Sequence, residues 1–177
     1  FVNGLCRVHE EKGHNFIDES GHEISKEYFK MAGNFGKNFA YVGGFDEKGD
    51  FTFTYIRRDG SLFDSWYPAI GEESEGLISA MKGTKYFVMN DKEKVVSRGY
   101  RRISGFYDGH AYIESSKNKY TYINHNFEPF DEEFDSVHVF SEGFGIVKKD
   151  GVVDAINSHQ IKLSELSALA QQIEQNP

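Results

Sequence analysis

An all-β fold of five tandem β-hairpin units is predicted, on three observations. Two short phrases recur along the chain at a drifting interval of about 34 residues. The first, of the type Phe-x-x-Gly-x-Ala-x-Val, opens at Phe1, Phe35, Glu73, Phe106 and Phe140, with its glycine place at Gly4, Asn38, Gly76, Gly109 and Gly143. The second is aromatic-rich and ends in Ile17, Ile56, Val88, Ile123 and Ile156. The 177 residues also include 16 Phe and 10 Tyr, side chains suited to pleated, half-buried surfaces. Finally, 18 Gly with only three Pro fit frequent tight turns between uninterrupted strands. Units of this length cannot bury their own apolar face, so neighbours must share one core. The array is expected over residues 1–161, as a solenoid-like twisted sheet or a propeller-like ring, with a C-terminal capping helix over 162–177.

Each element follows from the local pattern. In the fourth unit, Gly109-His110-Ala111-Tyr112-Ile113 alternates as a half-buried strand does. Lys119-Tyr120-Thr121-Tyr122-Ile123 is near enough to pair with it as an antiparallel hairpin. Turn-forming residues come after the second strand: Asp18-Glu19-Ser20-Gly21, Arg58-Asp59-Gly60-Ser61, Asn90-Asp91-Lys92, Asn124-His125-Asn126 and Asn157-Ser158-His159. A third piece carries Phe134, Val137 and Phe140 three residues apart, which predicts a short helical turn or a bent connection. Aromatics recur there, at Tyr28/Phe29, Trp66/Tyr67, Tyr100 and Phe134, and are expected to plug the seams between units. The second unit carries about four extra residues within Gly43–Asp50, an insertion of the kind that often lies on a binding face. From Ser164 to Glu174 good helix formers place Leu166, Leu169, Ala170 and Ile173 on one face, and Ser164 is placed to cap the start.

Composition narrows function by exclusion. A net charge of −8 argues against a general nucleic-acid binder, and the local cluster Arg98, Arg101 and Arg102 reads as a solvated edge or loop. No stretch approaches the ~20 apolar residues that a spanning helix needs. Cys6 is the single cysteine, so no intrachain disulfide forms. This favours a reducing compartment such as the cytoplasm, with export as the alternative. Cys6 falls at the Ala place of the first phrase, where a small buried residue is expected. The chain opens on Phe1 inside the repeat phrase, as expected of a processed chain or a piece of a longer array.

The phrase order resembles the bacterial WG repeat, a β-hairpin repeat, over about residues 1–161. Its nearest local matches are Phe140-Ser141-Glu142-Gly143-Phe144-Gly145-Ile146-Val147, Ser74-Glu75-Gly76-Leu77 and Phe16-Ile17-Asp18-Glu19-Ser20-Gly21. The Trp-Gly pair that names the repeat is replaced by Phe53-Thr54, Tyr120-Thr121 and Val153-Asp154, and the single Trp66 lies in a connection. The resemblance implies a hairpin array and carries no catalytic residues.

Searching for chemistry returns little. The densest histidines, His9, His14 and His22, lack cysteine co-ligands, and zinc needs three or four convergent donors. Asp131-Glu132-Glu133-Phe134-Asp135 lacks the ligand order of a calcium loop and reads as a solvated charge run. There is no nucleophile elbow, phosphate loop or dinucleotide fingerprint. The expectation is therefore a non-catalytic protein-interaction module without cofactor or metal. Phe45 and Asp46 in the longer loop are the candidate partner-contacting residues. A glycan- or small-ligand-binding module using exposed aromatics is the alternative, and an enzyme with an unrecognised carboxylate site is a third.

Overall fold

The computed structural model describes residues 1–175, without the side chains of 169, 170 and 172–175. The chain is nearly all β and forms two compact units, Phe1–Tyr100 and Arg101–Pro177. The first unit holds three antiparallel hairpins: β1 (Leu5–Glu10) with β2 (Gly13–Asp18), β4 (Phe39–Phe45) with β5 (Phe51–Arg57), and β6 (Ile78–Lys82) with β7 (Lys85–Met89). A short strand, β3 (Met31–Ala32), pairs with β4. The second unit holds β8 (His110–Ser116) with β9 (Lys119–Asn124), and β11 (Phe144–Lys149) with β12 (Val152–Asn157), β10 (Ser136–Val137) lying beside β11. A helix, α1 (Leu163–Gln175), follows β12 and packs against it.

Four units open on the same turn. Asn3-Gly4, Glu75-Gly76, Asp108-Gly109 and Glu142-Gly143 all have positive φ, from 48° to 81°. Two successive left-handed residues make a type I′ turn, whose twist matches that of the flanking strands. The second repeat has Lys37-Asn38 in this place, outside the left-handed region. There the Glu73 carboxylate accepts the Asn38 and Phe39 N–H groups at 2.6 and 2.7 Å.

The second strand of each hairpin ends in a five-residue turn, held in four of the five by its first side chain and in the second hairpin by Asp59, whose Oδ1 accepts the Ser61 N–H at 3.0 Å. The Oδ1 of Asp18, Asn90, Asn124 and Asn157 each accepts two N–H groups, two and four residues on, at 2.8–3.1 Å. These are the turn residues expected from composition, working through Asx geometry.

After that turn the chain returns beside its own second strand, then crosses to the first strand of the next hairpin. The return bridges are His14↔Phe29, Phe53↔Tyr67, Tyr86↔Tyr100 and Tyr120↔Phe134. The crossing bridges are Ala32↔Val42, Ile70↔Ala80, Ile103↔Ile113 and Val137↔Val147. The piece carrying Phe134, Val137 and Phe140 is thus extended. Its three-residue spacing comes from a strand that changes partner, not from a helical turn. Buried polar ties hold the return: Asn15 Nδ2 donates to the Ser25 carbonyl at 2.9 Å, and Thr54 and Thr121 Oγ1 donate to the Ser65 and Glu132 carbonyls at 2.8 Å.

Alternate faces of one hairpin enter two cores, because successive strand side chains point opposite ways. Ala40, Val42, Ile56 and Phe35 pack with Leu5, Phe16 and Phe29 of the first repeat. Phe39 and Tyr55, one residue out of phase, pack together with Phe63 against Ile78, Ala80 and Met89 of the third. In the second unit Tyr122, Phe130 and Phe134 pack likewise with Phe140, Val147 and Ile156. Phe29 and Phe134 are buried in seams as expected and Tyr100 is buried, whereas Trp66 is exposed. The marker of the third repeat is Met89, which bridges Val95 as Ile56 bridges Leu62, rather than Val88.

The helix starts one residue earlier than its polar signal implied. Lys162 precedes the first turn, and Ser164 lies inside it, with its N–H and hydroxyl both turned onto the Asp154 carboxylate of β12. The cap is therefore supplied by Asp154. Of the expected apolar face, Leu166 is exposed, and Leu169, Ala170 and Ile173 lie outside the described side chains.

Candidate functional site

The second hairpin is the one that departs from the common length. Gly43, Gly44 and Phe45 are strand rather than loop, and β4 and β5 have seven residues each. The remaining insertion, Asp46–Asp50, is another five-residue Asx turn. Asp46 Oδ1 accepts the Lys48 and Asp50 N–H groups at 2.9 Å, and Gly49 N–H donates to the Asp46 carbonyl at 3.0 Å. The Asp46 carboxylate is thereby engaged within its own turn.

The face of β4 carrying Phe39, Tyr41, Gly43 and Phe45 lies opposite Arg57, Tyr55, Phe53 and Phe51 of β5. Phe39 and Tyr55 are buried, Tyr41, Phe53 and Phe51 are partly buried, and Phe45 is 65% exposed. Edge-to-face contacts run up the face: Tyr41–Phe53 at 6.2 Å, Phe53–Phe51 at 5.2 Å and Phe51–Phe45 at 5.0 Å between ring centres. Gly43 makes room for this row, since a Cβ there would stand 2.8–2.9 Å from the Phe53 and Phe51 rings. The row ends in an apolar ring, Phe45, in edge contact with Phe51. Sequence reasoning found Phe45 through the insertion. It missed Phe51, which the repeat phrase disguised as an ordinary strand residue.

Other candidates resolve into structure. The guanidinium groups of Arg101 and Arg102 approach Glu114, each at 3.5 Å, and Arg98 lies over the Tyr100 ring. In the acidic run, Lys149 at 2.8 Å and Lys162 at 2.9 Å clasp Glu132, and these partners hold its carboxyl below the usual range. Asp135 pairs with Lys119 and accepts the Asp150 N–H at 2.8 Å. A cavity of about 360 Å³ beside the start of α1 is lined by Lys149, Asp154, Lys162 and Ser164, side chains already engaged in these pairs. His125 and His159 sit in repeat turns, and His22 turns back onto Asp18 at 3.6 Å.

His9 and His14 do meet, as cross-strand partners with ring centres 4.4 Å apart. Burial, reinforced by His9 and Arg7, lowers the His14 pKa, and its buried Nδ1 has no partner. The unfolded chain therefore binds this proton more readily than the folded one. Stability contributed by neutral His14 is present above its ordinary value near 6.5 and is lost as pH falls from there towards the folded-state value. The equivalent places hold Phe53, Tyr86 and Tyr120, so His14→Phe is expected to fold. Its urea midpoint should change less than that of the parent between pH 7.5 and 5.5. An equal change in both would remove His14 as the cause.

The WG containing repeat matches residues 120–152. That window begins at β9, runs through the return and crossing segments and ends at the start of β12, so it spans one full period in a shifted frame. No curated protein matches the chain. One WG containing repeat is thus detected in the chain, over residues 120–152.

Proposed function

We propose that the chain is a non-catalytic protein-interaction module that engages its partner through the aromatic tip of the second hairpin. The observation that carries this reading is the exposure of Phe45 at the end of a row of partly buried rings, Phe51, Phe53 and Tyr41, of which Tyr41 packs against the core. A partner burying Phe45 gains apolar area at little entropic cost, because Phe51 and the Asp46 turn already restrain it. Phe45 is the contact residue and Asp46 positions it. A repeat module suits such recognition, because stacking presents one long tip beside shorter neighbours. The glycan reading draws on the same row, since Tyr41, Phe53 and Phe51 offer partly exposed rings.

Affinity capture with the parent chain is expected to return a stoichiometric protein that Phe45→Ser retains at least tenfold less well, about 1.4 kcal/mol or more of hot-spot loss. Phe45→Ser should leave the urea midpoint within about 0.5 kcal/mol of the parent, as for other exposed sites. Equal retention by both chains would sink the assignment of the tip. Saturable oligosaccharide binding lost in Phe45→Ser, without a captured protein, would decide for the glycan reading.

A further inference from the structure

The third hairpin closes on two lysines. Lys82 of β6 and Lys85 of β7 stand directly opposite each other, and both are exposed. Like charges in this relation destabilise a hairpin. Among the described residues neither lysine pairs with a carboxylate, although the chain carries 28 Asp and Glu against 20 Lys and Arg. Lys85 is nonetheless seated. A Cβ at Gly99 would stand 2.9 Å from its Cδ and 2.8 Å from the Phe87 ring, so the glycine makes room for the lysine stem.

Alternation places this pair on a defined face. Ile78↔Met89, Ala80↔Phe87 and Lys82↔Lys85 are successive pairs on one side of the hairpin. Ile78, Ala80 and Met89 of that side pack with Phe39 and Tyr55 of the second hairpin, and Tyr41 packs against the same core. The lysines therefore continue the face turned toward the one that carries Tyr41, Gly43 and Phe45. The main chain ties the two together. Tyr67 bridges Phe53, the Ala69 carbonyl accepts the Met81 N–H at 2.8 Å, and only Pro68 lies between Tyr67 and Ala69. One surface thus joins an open aromatic row to a pair of uncompensated ammonium groups.

We propose that the partner of the Phe45 tip presents an acidic, amphipathic segment, with apolar side chains on Phe45 and Phe51 and carboxylates on Lys82 and Lys85. This inference rests on the reading of Phe45 as the contact residue and adds the partner's chemistry. A carboxylate set against both lysines offsets their mutual repulsion, which a neutral segment leaves in place. Complementary charge of this kind sets selectivity and register more than affinity. Glu47 and Asp50 are exposed in the turn beyond Phe45 and repel the same carboxylates, so the acidic side of the segment is directed to the third hairpin.

The probe is a short synthetic peptide alternating Leu and Asp, titrated into the 177-residue chain, with a Leu and Lys counterpart as control. The acidic peptide should saturate and shift the amide signals of both Phe45 and Lys85, and the basic one should not bind. Lys82→Gln with Lys85→Gln should weaken binding about tenfold or more. The same double variant should keep or raise the urea midpoint, because a like-charge pair has been removed. Phe45→Ser should also weaken binding about tenfold or more. No saturable binding, equal binding of the basic peptide, or equal binding to the lysine variant would overturn the acidic partner and leave the Phe45 tip to its own capture experiment. Loss in the lysine variant with none in Phe45→Ser would instead sink the tip, and the shared surface with it. A thymidine oligonucleotide bound as tightly as the peptide would show an undirected anion site and also overturn the proposal.

Discussion

Tyr55→Ala is expected to destabilise the first unit by about 3–5 kcal/mol, the range for deleting a large buried aromatic. Tyr55 is fully buried and joins the second hairpin to the third through the core it shares with Phe39, Phe63, Ile78 and Met89. Its hydroxyl donates to the Gly71 carbonyl, and the Ser79 carbonyl lies 3.0 Å from the same oxygen. These two carbonyls belong to the crossing segment and to the strand it pairs with. Tyr122 repeats the arrangement with His138 and Ile146 at the same sequence separations, 16 and 24 residues. Burial raises the pKa of both phenols, so each stays a neutral donor through the ordinary pH range. Tyr55→Phe keeps the ring and strips only the hydroxyl, and should cost about 1–2 kcal/mol. Urea unfolding followed at Trp66 reports on this unit, which contains the only tryptophan. Equal costs for Tyr55→Phe and Tyr55→Ala would show that the hydroxyl, not the ring, holds the seam.

The second large effect is expected at Gly60. It has φ of +82°, and a Cβ there would lie 1.7 Å from the Ile24 carbonyl oxygen and 2.8 Å from its carbon. A backbone atom of a packed neighbour cannot rotate aside as a side chain would. Gly60→Ala should therefore cost about 3 kcal/mol or more, combining left-handed strain with displacement of the first repeat. Gly21 has the same φ of +82° and occupies the same place in its own turn, yet nothing lies within 4 Å of its Cβ position. Gly21→Ala should cost only the conformational part, about 1–2 kcal/mol. The difference between the two urea-derived values isolates the inter-repeat contact. A Gly60→Ala chain no less stable than Gly21→Ala would refute that contact.

This turn place is not glycine at Glu93, Phe127 and Gln160, and at the first and last of these the side chain bonds to the preceding repeat. Glu93, with φ of 57°, reaches back to pair with Arg57 at 2.8 Å and to accept the Asp64 N–H at 3.1 Å. Gln160, with φ of 65°, accepts the Asp131 N–H at 2.7 Å, across the same separation of 29 residues. Local propensity alone ranks both as poor choices for the left-handed region. A contact with the preceding repeat accounts for them.

Much of the fold was legible in these residues because period and alternation are local properties. Gly4, Gly76, Gly109 and Gly143 marked the opening turns, and Asp18, Asn90, Asn124 and Asn157 marked the closing ones. The register of the third repeat was not legible, since Val88 and Met89 are both apolar and only the bridge to Val95 separates them. The connection around Phe134 misled for a related reason. A strand that switches partners part-way shows neither a clean two-residue nor a clean helical period. Ser164 looked like a helix cap because a hydroxyl beside an apolar run is the usual signal, while the acceptor that fills the role comes from Asp154, ten residues earlier. In the candidate site, an insertion pointed to Phe45 and Asp46. Their opposite situations, one ring open and one carboxylate engaged, depend on which atoms the turn itself consumes.

The sequence by itself determined an all-β repeat of hairpins, because residue spacing and turn chemistry act within a few residues. Tertiary structure alone decided which faces are used up. Along one face of β4, Phe39 is buried and Phe45 is 65% exposed. Burial depends on whether a neighbouring repeat stands against the residue, and no residue type encodes that.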